Sequence, residues 1–180
     1  MIDRYTGSEM GRIFSLENKY AVWQEIEVLA CEAQAELGKI GITSEEAAWI
    51  RAHAAFDKGE VDAIEAVTNH DVVAFLTNLG SYIDADVPAD QPKPSRWVHY
   101  GMTSTDLGDT ALCYQLVQAC DILIRRTRAC AEIAKRRAYE ERDTLCVGRT
   151  HGIHAEPMTF GMKFASWAWE LKRDHDRLVD

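Results

Sequence analysis

From Asp106 to about Asp143 the chain contains no proline and, beyond Gly108, no glycine. Nothing in that stretch interrupts a helix, and at ~1.5 Å per residue the result is a rod of more than about 50 Å. That is several times the mean helix of a globular domain. Its middle, Ala111 to Ile124, is apolar on nearly every face, which in a helix calls for partners on several sides, as in the core of a bundle or of an oligomer. From Arg125 to Arg142 the character changes to seven Arg or Lys against three Glu. A solvated end whose cations complement the helix C-terminal dipole accounts for this, with an anion site as the alternative.

The rest of the chain also reads as helical. Ser15 to Leu37 spaces Leu16, Tyr20, Trp23, Ile26 (or Glu27), Ala30 and Leu37 at mostly three and four residues, ended by Gly38 and Gly41. Thr43 to Glu46 has the S/T-x-x-E form of a capping box for a second helix running to about Phe56, which Lys58-Gly59 interrupts. A third helical stretch from Glu60 is disturbed around Thr68 to Asp71 and resumes to Ile83. Pro88, Pro92 and Pro94 cluster in a linker that cannot be helix interior. The Gly-rich run Val147 to Pro157 reads as a loop, after which helical spacing resumes through Phe160, Phe164 and Trp167 without a terminal cap. No strand is expected. The predicted fold class is all-α: a small N-terminal helical domain, residues 1–100, followed by the first part of a long-helix bundle domain, residues 101–180.

Composition limits what such a chain does. Twenty basic residues against 29 acidic ones give a net charge of −9, which disfavours general attraction to nucleic acid or to an anionic membrane surface. The polar N-terminus carries no signal-peptide core and no apolar run is long enough to span a bilayer, so the expected location is cytoplasmic. Five cysteines without a C-x-x-C pair fit neither a disulfide framework nor a zinc ribbon, and read as buried free thiols.

Three polar segments break the helical pattern and concentrate groups capable of chemistry. Thr68-Asn69-His70-Asp71 sets an imidazole beside a carboxylate and an amide; a plain alternative is that Asn69 or Asp71 caps the next helix. His99 to Asp106 contains Thr103 and Ser104 at the start of the long helix, where free N–H groups and hydroxyls suit an anion, an ordinary cap, or both together. Gly148 to His154 joins Arg149, Thr150 and two imidazoles, His151 and His154, in a run whose glycines admit a ligand; a structural turn is the alternative. A metal reading of His151, His154 and Glu156 lacks further ligands, and none is expected.

In order and spacing these segments resemble the fumarase/aspartase superfamily of eliminating lyases, and within it the adenylosuccinate lyases of purine biosynthesis. The matching pieces are Arg4-Tyr5, Thr68 to Phe75, Val98 to Asp106 and Gly148 to Pro157, in register across essentially the whole chain. The resemblance implies β-elimination of fumarate from adenylosuccinate, giving AMP, and from the succinyl-carboxamide ribotide earlier in the pathway, with no cofactor. It implies that His151 is the general acid and that His70 assists it or bonds the substrate. Asn69 and Asp71 belong to that ligand-contacting segment, with Thr150 beside the acid. Arg4 and Tyr5 hold the nucleotide, Thr103 and Ser104 seat an anionic group, and His99 lies beside them. It also implies a homotetramer with sites shared between subunits.

The family's base is a serine on a Gly- and Ser-rich loop that this sequence does not contain. The chain is therefore expected to be an N-terminal fragment, inactive alone, of a lyase. The alternatives are another lyase of the superfamily, such as an argininosuccinate lyase, or a non-catalytic helical oligomerisation module.

Overall fold

The computed structural model describes residues 2–180, in two compact units that divide between Leu116 and Val117. In the first, a single 3-10 turn (Asp3–Tyr5) precedes α1 (Ser8–Ile13), α2 (Leu16–Leu37), α3 (Ser44–His53), α4 (Lys58–Thr68) and α5 (Asp71–Ile83). A second 3-10 turn (Pro94–Trp97) leads to α6 (Ser104–Glu140), which begins in this unit and continues in the next.

The helix ends follow from local chemistry. Ser15 accepts the Asn18 N–H at 3.2 Å to start α2, and Gly38 ends it with a left-handed φ of 62°. Thr43 and Glu46 form the expected capping box, but α3 stops at His53 rather than near Phe56. Lys58-Gly59 does not interrupt a helix; these residues open α4, because Asp57 accepts the Glu60 N–H at 2.9 Å and caps it.

The core gathers around α2 and α5. The buried stripe of α2 is Tyr20, Trp23, Glu27, Val28 and Cys31, while Leu16 and Leu37 at its ends are exposed. Phe75 stacks on Tyr20 at 5.5 Å and meets Trp23 edge-on at 5.4 Å. Buried Asn78 ties α5 to the start of α4, donating to Glu60 at 2.7 Å and accepting the Asp57 N–H at 2.9 Å. Both ends of its amide are thus satisfied, as a buried polar group requires.

In the second unit, the segment expected to be a loop is an antiparallel hairpin, β1 (Leu145–Thr150) and β2 (Ile153–Thr159). Gly and Pro obscured it, yet both fit. His151 and Gly152, with φ of 51° and 75°, form the two-residue turn. Gly148 of β1 faces the two bulged residues Ala155 and Glu156 of β2, and Pro157 is tolerated because each strand of a two-stranded sheet is an edge. α7 (Phe160–Val179) follows directly. Its start is fixed to the turn that follows α6 by Phe160 N–H to Thr144 O (2.8 Å) and Gly161 N–H to Glu141 O (2.9 Å).

This chain does not itself cover all of α6. Leu112, Tyr114, Leu116, Val117, Leu123 and Ile133 are exposed. The expectation of buried thiols holds for Cys31 alone among the five: Cys113 and Cys130 are exposed and Cys120 half-buried on α6, and Cys146 is half-buried on β1. Among the described residues no helix is long and apolar enough to cross a membrane.

Candidate active site

Two of the imidazole-bearing segments lie in the first unit, and α2 holds both. Asn69 ends α4 in a left-handed conformation, φ 52°, and the next residue starts α5. The cap of α5 is His70 itself, not Asn69 or Asp71: its Nδ1 accepts the Val73 N–H at 3.4 Å. An Nδ1 that accepts leaves the proton of a neutral ring on Nε2, so His70 offers a donor outward. Asp71 points back to α2, 3.1 Å from Lys19 Nζ, and its Oδ1 also accepts the Val72 N–H at 2.8 Å. Burial raises the Asp71 carboxyl, but the Lys19 hydrogen bond, the Val72 N–H and the charges of Lys19 and His70 outweigh it and hold the group below its ordinary value.

His99 is attached to α2 eight residues further along. Its backbone N–H and its Nδ1 each lie 2.7 Å from an oxygen of Glu27. It also lines a cavity of about 530 Å³ with Thr77, Gly80, Ser95 and Val98. Thr77 follows His70 by seven residues on the same face of α5, about 10 Å along the axis. The face of α5 that starts at His70 therefore runs down to the cavity that His99 lines.

At the start of α6 the capping alternative is realised. Asp106 Oδ2 accepts both the Thr103 N–H (2.7 Å) and the Thr103 hydroxyl (3.1 Å). These two bonds hold the Asp106 carboxyl below its ordinary value. Ser104, the first residue of α6, is half-buried beside this cap. Arg4 and Tyr5 occupy the N-terminal 3-10 turn, with the guanidinium 4.9 Å from the centre of the exposed Tyr5 ring.

The second unit carries Thr150, the last residue of β1, and His151, the first of the hairpin turn, both exposed. A histidine at positive φ is uncommon, and here it sets the ring at the tip of the hairpin. Among the described residues no group of three or more His, Cys, Asp or Glu side chains is placed to hold a metal ion.

Two residues that hold this region are not among the candidate site residues of the sequence: Lys19, and Glu27, which the helical spacing offers only as an alternative to Ile26 on the stripe. Glu27 had one available signal: it is a charged residue one turn from Trp23 and one turn from Cys31, on the stripe expected to be apolar.

A lyase family model matches residues 4–180. The chain is 45% identical over 177 residues to the adenylosuccinate lyase of Bacillus subtilis, covering 98% of this chain and 39% of that protein. It is 44% identical over 180 residues to the adenylosuccinate lyase of a Synechocystis species, covering 99% and 39%. Among solved structures, the 3-carboxy-cis,cis-muconate lactonizing enzyme of Pseudomonas putida matches with a TM-score of 0.89 at 31% identity, over 99% of this chain and 40% of that one. The β-carboxy-cis,cis-muconate cycloisomerase of an Acinetobacter calcoaceticus strain matches with a TM-score of 0.86 at 30% identity, over 96% and 40%. The chain thus spans about two fifths of the length of the curated relatives it matches.

Proposed function

The chain belongs to the lyase family, and from that membership we propose that it is part of an adenylosuccinate lyase, a cytoplasmic homotetramer that eliminates fumarate from adenylosuccinate. The same site would release fumarate from the succinyl-aminoimidazole carboxamide ribotide. The supporting observation is likeness across nearly the whole chain to enzymes of that name. In this reading residues 1–100 are a small N-terminal domain and 101–180 the opening part of the central long-helix bundle.

Breaking the C–N bond requires a proton for the departing nitrogen. His151, at the tip of the β1–β2 hairpin with Thr150 beside it, is the proposed general acid; a positioned donor of this kind contributes roughly 10²–10⁴ in rate. His70 donates from Nε2 to the substrate or supports the acid, with Asn69 and Asp71 flanking it. Arg4 takes the phosphate through its planar fork, next to Tyr5. Thr103 and Ser104 seat a substrate carboxylate at the N-terminus of α6, where N–H groups and the helix dipole favour negative charge. His99 lies in the same site. Removal of the Cβ proton is assigned to no residue of this chain, and the site is proposed to draw its histidine segments, His70, His99 and His151, from more than one subunit.

The test is fumarate formation by a protein of the relatives' length that carries this chain. It should release fumarate saturably from adenylosuccinate and not from argininosuccinate; the opposite pattern would overturn the reading. The 180-residue chain by itself should release none.

A further inference from the structure

Glu27 is fully buried on the core face of α2. A carboxylate removed from water is costly unless its oxygens are hydrogen-bonded, and both are: Oε2 accepts the His99 backbone N–H and Oε1 meets His99 Nδ1, each at 2.7 Å. A carboxyl that accepts a backbone N–H at one oxygen and meets Nδ1 at the other is matched by a proton on Nδ1. Nε2 is then the one ring atom of His99 left to meet a ligand. The same pair of bonds holds the His99 backbone at φ 61°, a left-handed conformation that residues with a β-carbon rarely adopt.

The neighbouring thiol on this face of α2 is bonded elsewhere. Cys31, one turn further on, sends its thiol to Trp97 O at 3.5 Å. Burial, with the charges of Glu27 and Glu32, pushes that thiol up to about 12, so it stays protonated. The His99 ring is 20% exposed and lines the cavity along α5. It is therefore anchored at one nitrogen from the core and open at one side.

We propose that Glu27 is a positioning residue: it fixes the tautomer and the orientation of His99 so that Nε2 faces the substrate. The proposal rests on the reading of His99 as a substrate-binding residue. The design parallels a carboxylate that orients a catalytic imidazole through Nδ1, where an amide replacement installs the wrong tautomer.

The test has two arms. In the protein labelled with ¹⁵N at histidine, the wild-type His99 resonances should show a proton on Nδ1. In Glu27→Gln the amide can accept the backbone N–H while donating to Nδ1, so the proton should move to Nε2. A wild-type Nδ1 without a proton overturns the proposal, and so does Glu27→Gln with Nδ1 still protonated. The wild-type spectrum decides even if the variant fails to fold.

In the enzyme assay, Glu27→Gln should lower kcat/KM by roughly tenfold or more, the scale of a lost hydrogen bond to a charged group. His99→Ala should cost at least as much, and the double variant no more than His99→Ala alone. Additive losses overturn the proposal. If His99→Ala keeps wild-type kcat/KM while the tautomer still responds to Glu27→Gln, the reading of His99 fails and the positioning of its ring by Glu27 stands.

Discussion

Lys19 Nζ lies 3.1 Å from Asp71 Oδ2 and 4.2 Å from the centre of the Trp23 ring. One cation of α2 is thus shared between the carboxylate that follows His70 and an indole of the core. Together with the Glu27–His99 pair further along the helix, it makes α2 the element that holds two of the polar segments. A mutation in α2 can therefore disturb the candidate site without touching any residue in it.

The Asp71 carboxyl is held below its ordinary value, net of the burial that opposes this. A carboxyl lowered in the folded state adds stability above its unfolded pKa and loses it as pH falls through the folded one. At neutral pH, Asp71→Asn should therefore be less stable than wild type. The gap should be under about 1 kcal/mol, because Lys19 and Asp71 are both substantially exposed and screened by solvent. Denaturant midpoints should converge as the pH drops below the ordinary carboxylate value and draw closer at high salt. A gap that ignores both pH and salt would mean that Lys19 does not stabilise the ionised form.

His70 has two separable duties, capping α5 through Nδ1 and, in the proposed function, meeting the substrate through Nε2. Replacing it with alanine removes the cap and should cost on the order of 0.5–2 kcal/mol, whereas serine supplies an equivalent acceptor. Thermal unfolding should therefore rank His70→Ala below both wild type and His70→Ser. In a protein of the relatives' length that carries this chain, the proposed activity should be low in both variants. A fully active His70→Ser would leave only the capping duty.

Caps and periodicity carried the fold of the first unit because they are local: Ser15, Thr43, Glu46 and Gly38 need only their own neighbours to act. Two features were not readable that way. The hairpin was hidden because its turn depends on a histidine, His151, taking a left-handed φ before Gly152, a conformation residue type alone does not announce. Glu27 was hidden because its partner is 72 residues away, so nothing near it in the chain explains a charge on the core stripe. His70, His99 and His151 stood out in the sequence, since each interrupts a helical pattern; what holds each of them did not.

Gly161, at the start of α7, lies against the end of α6, and a β-carbon there would come within 2.8 Å of the Arg142 backbone. Backbone cannot rotate aside as a long side chain can, so Gly161→Ala must separate the two helices. It should destabilise the second unit by about 1–3 kcal/mol, the usual scale of overpacking. Hydrogen exchange is the informative measurement: protection of the Phe160 and Gly161 amides should fall sharply, while protection in α2 and α5 is retained. Unchanged exchange at the corner would show that the backbone gives way at no cost.

The left-handed φ of His151 also decides how its chemistry should be probed. Alanine strains the turn as well as removing the imidazole, so any loss it causes is ambiguous. Asparagine tolerates the same φ and cannot serve as a proton donor in the way an imidazolium can. In a protein of the relatives' length that carries this chain, His151→Asn should keep the wild-type melting temperature and, with His151 as the proposed general acid, lose roughly 10²–10⁴ in kcat. His70→Ser, with its cap preserved, should be inactive for a different reason. If the sites are shared, mixing the two variants under conditions of proven subunit exchange should restore up to about a quarter of the wild-type sites, since each site draws the two segments independently from different chains. Activity that fails to rise above that of the separate variants would place His70 and His151 of each site on one chain.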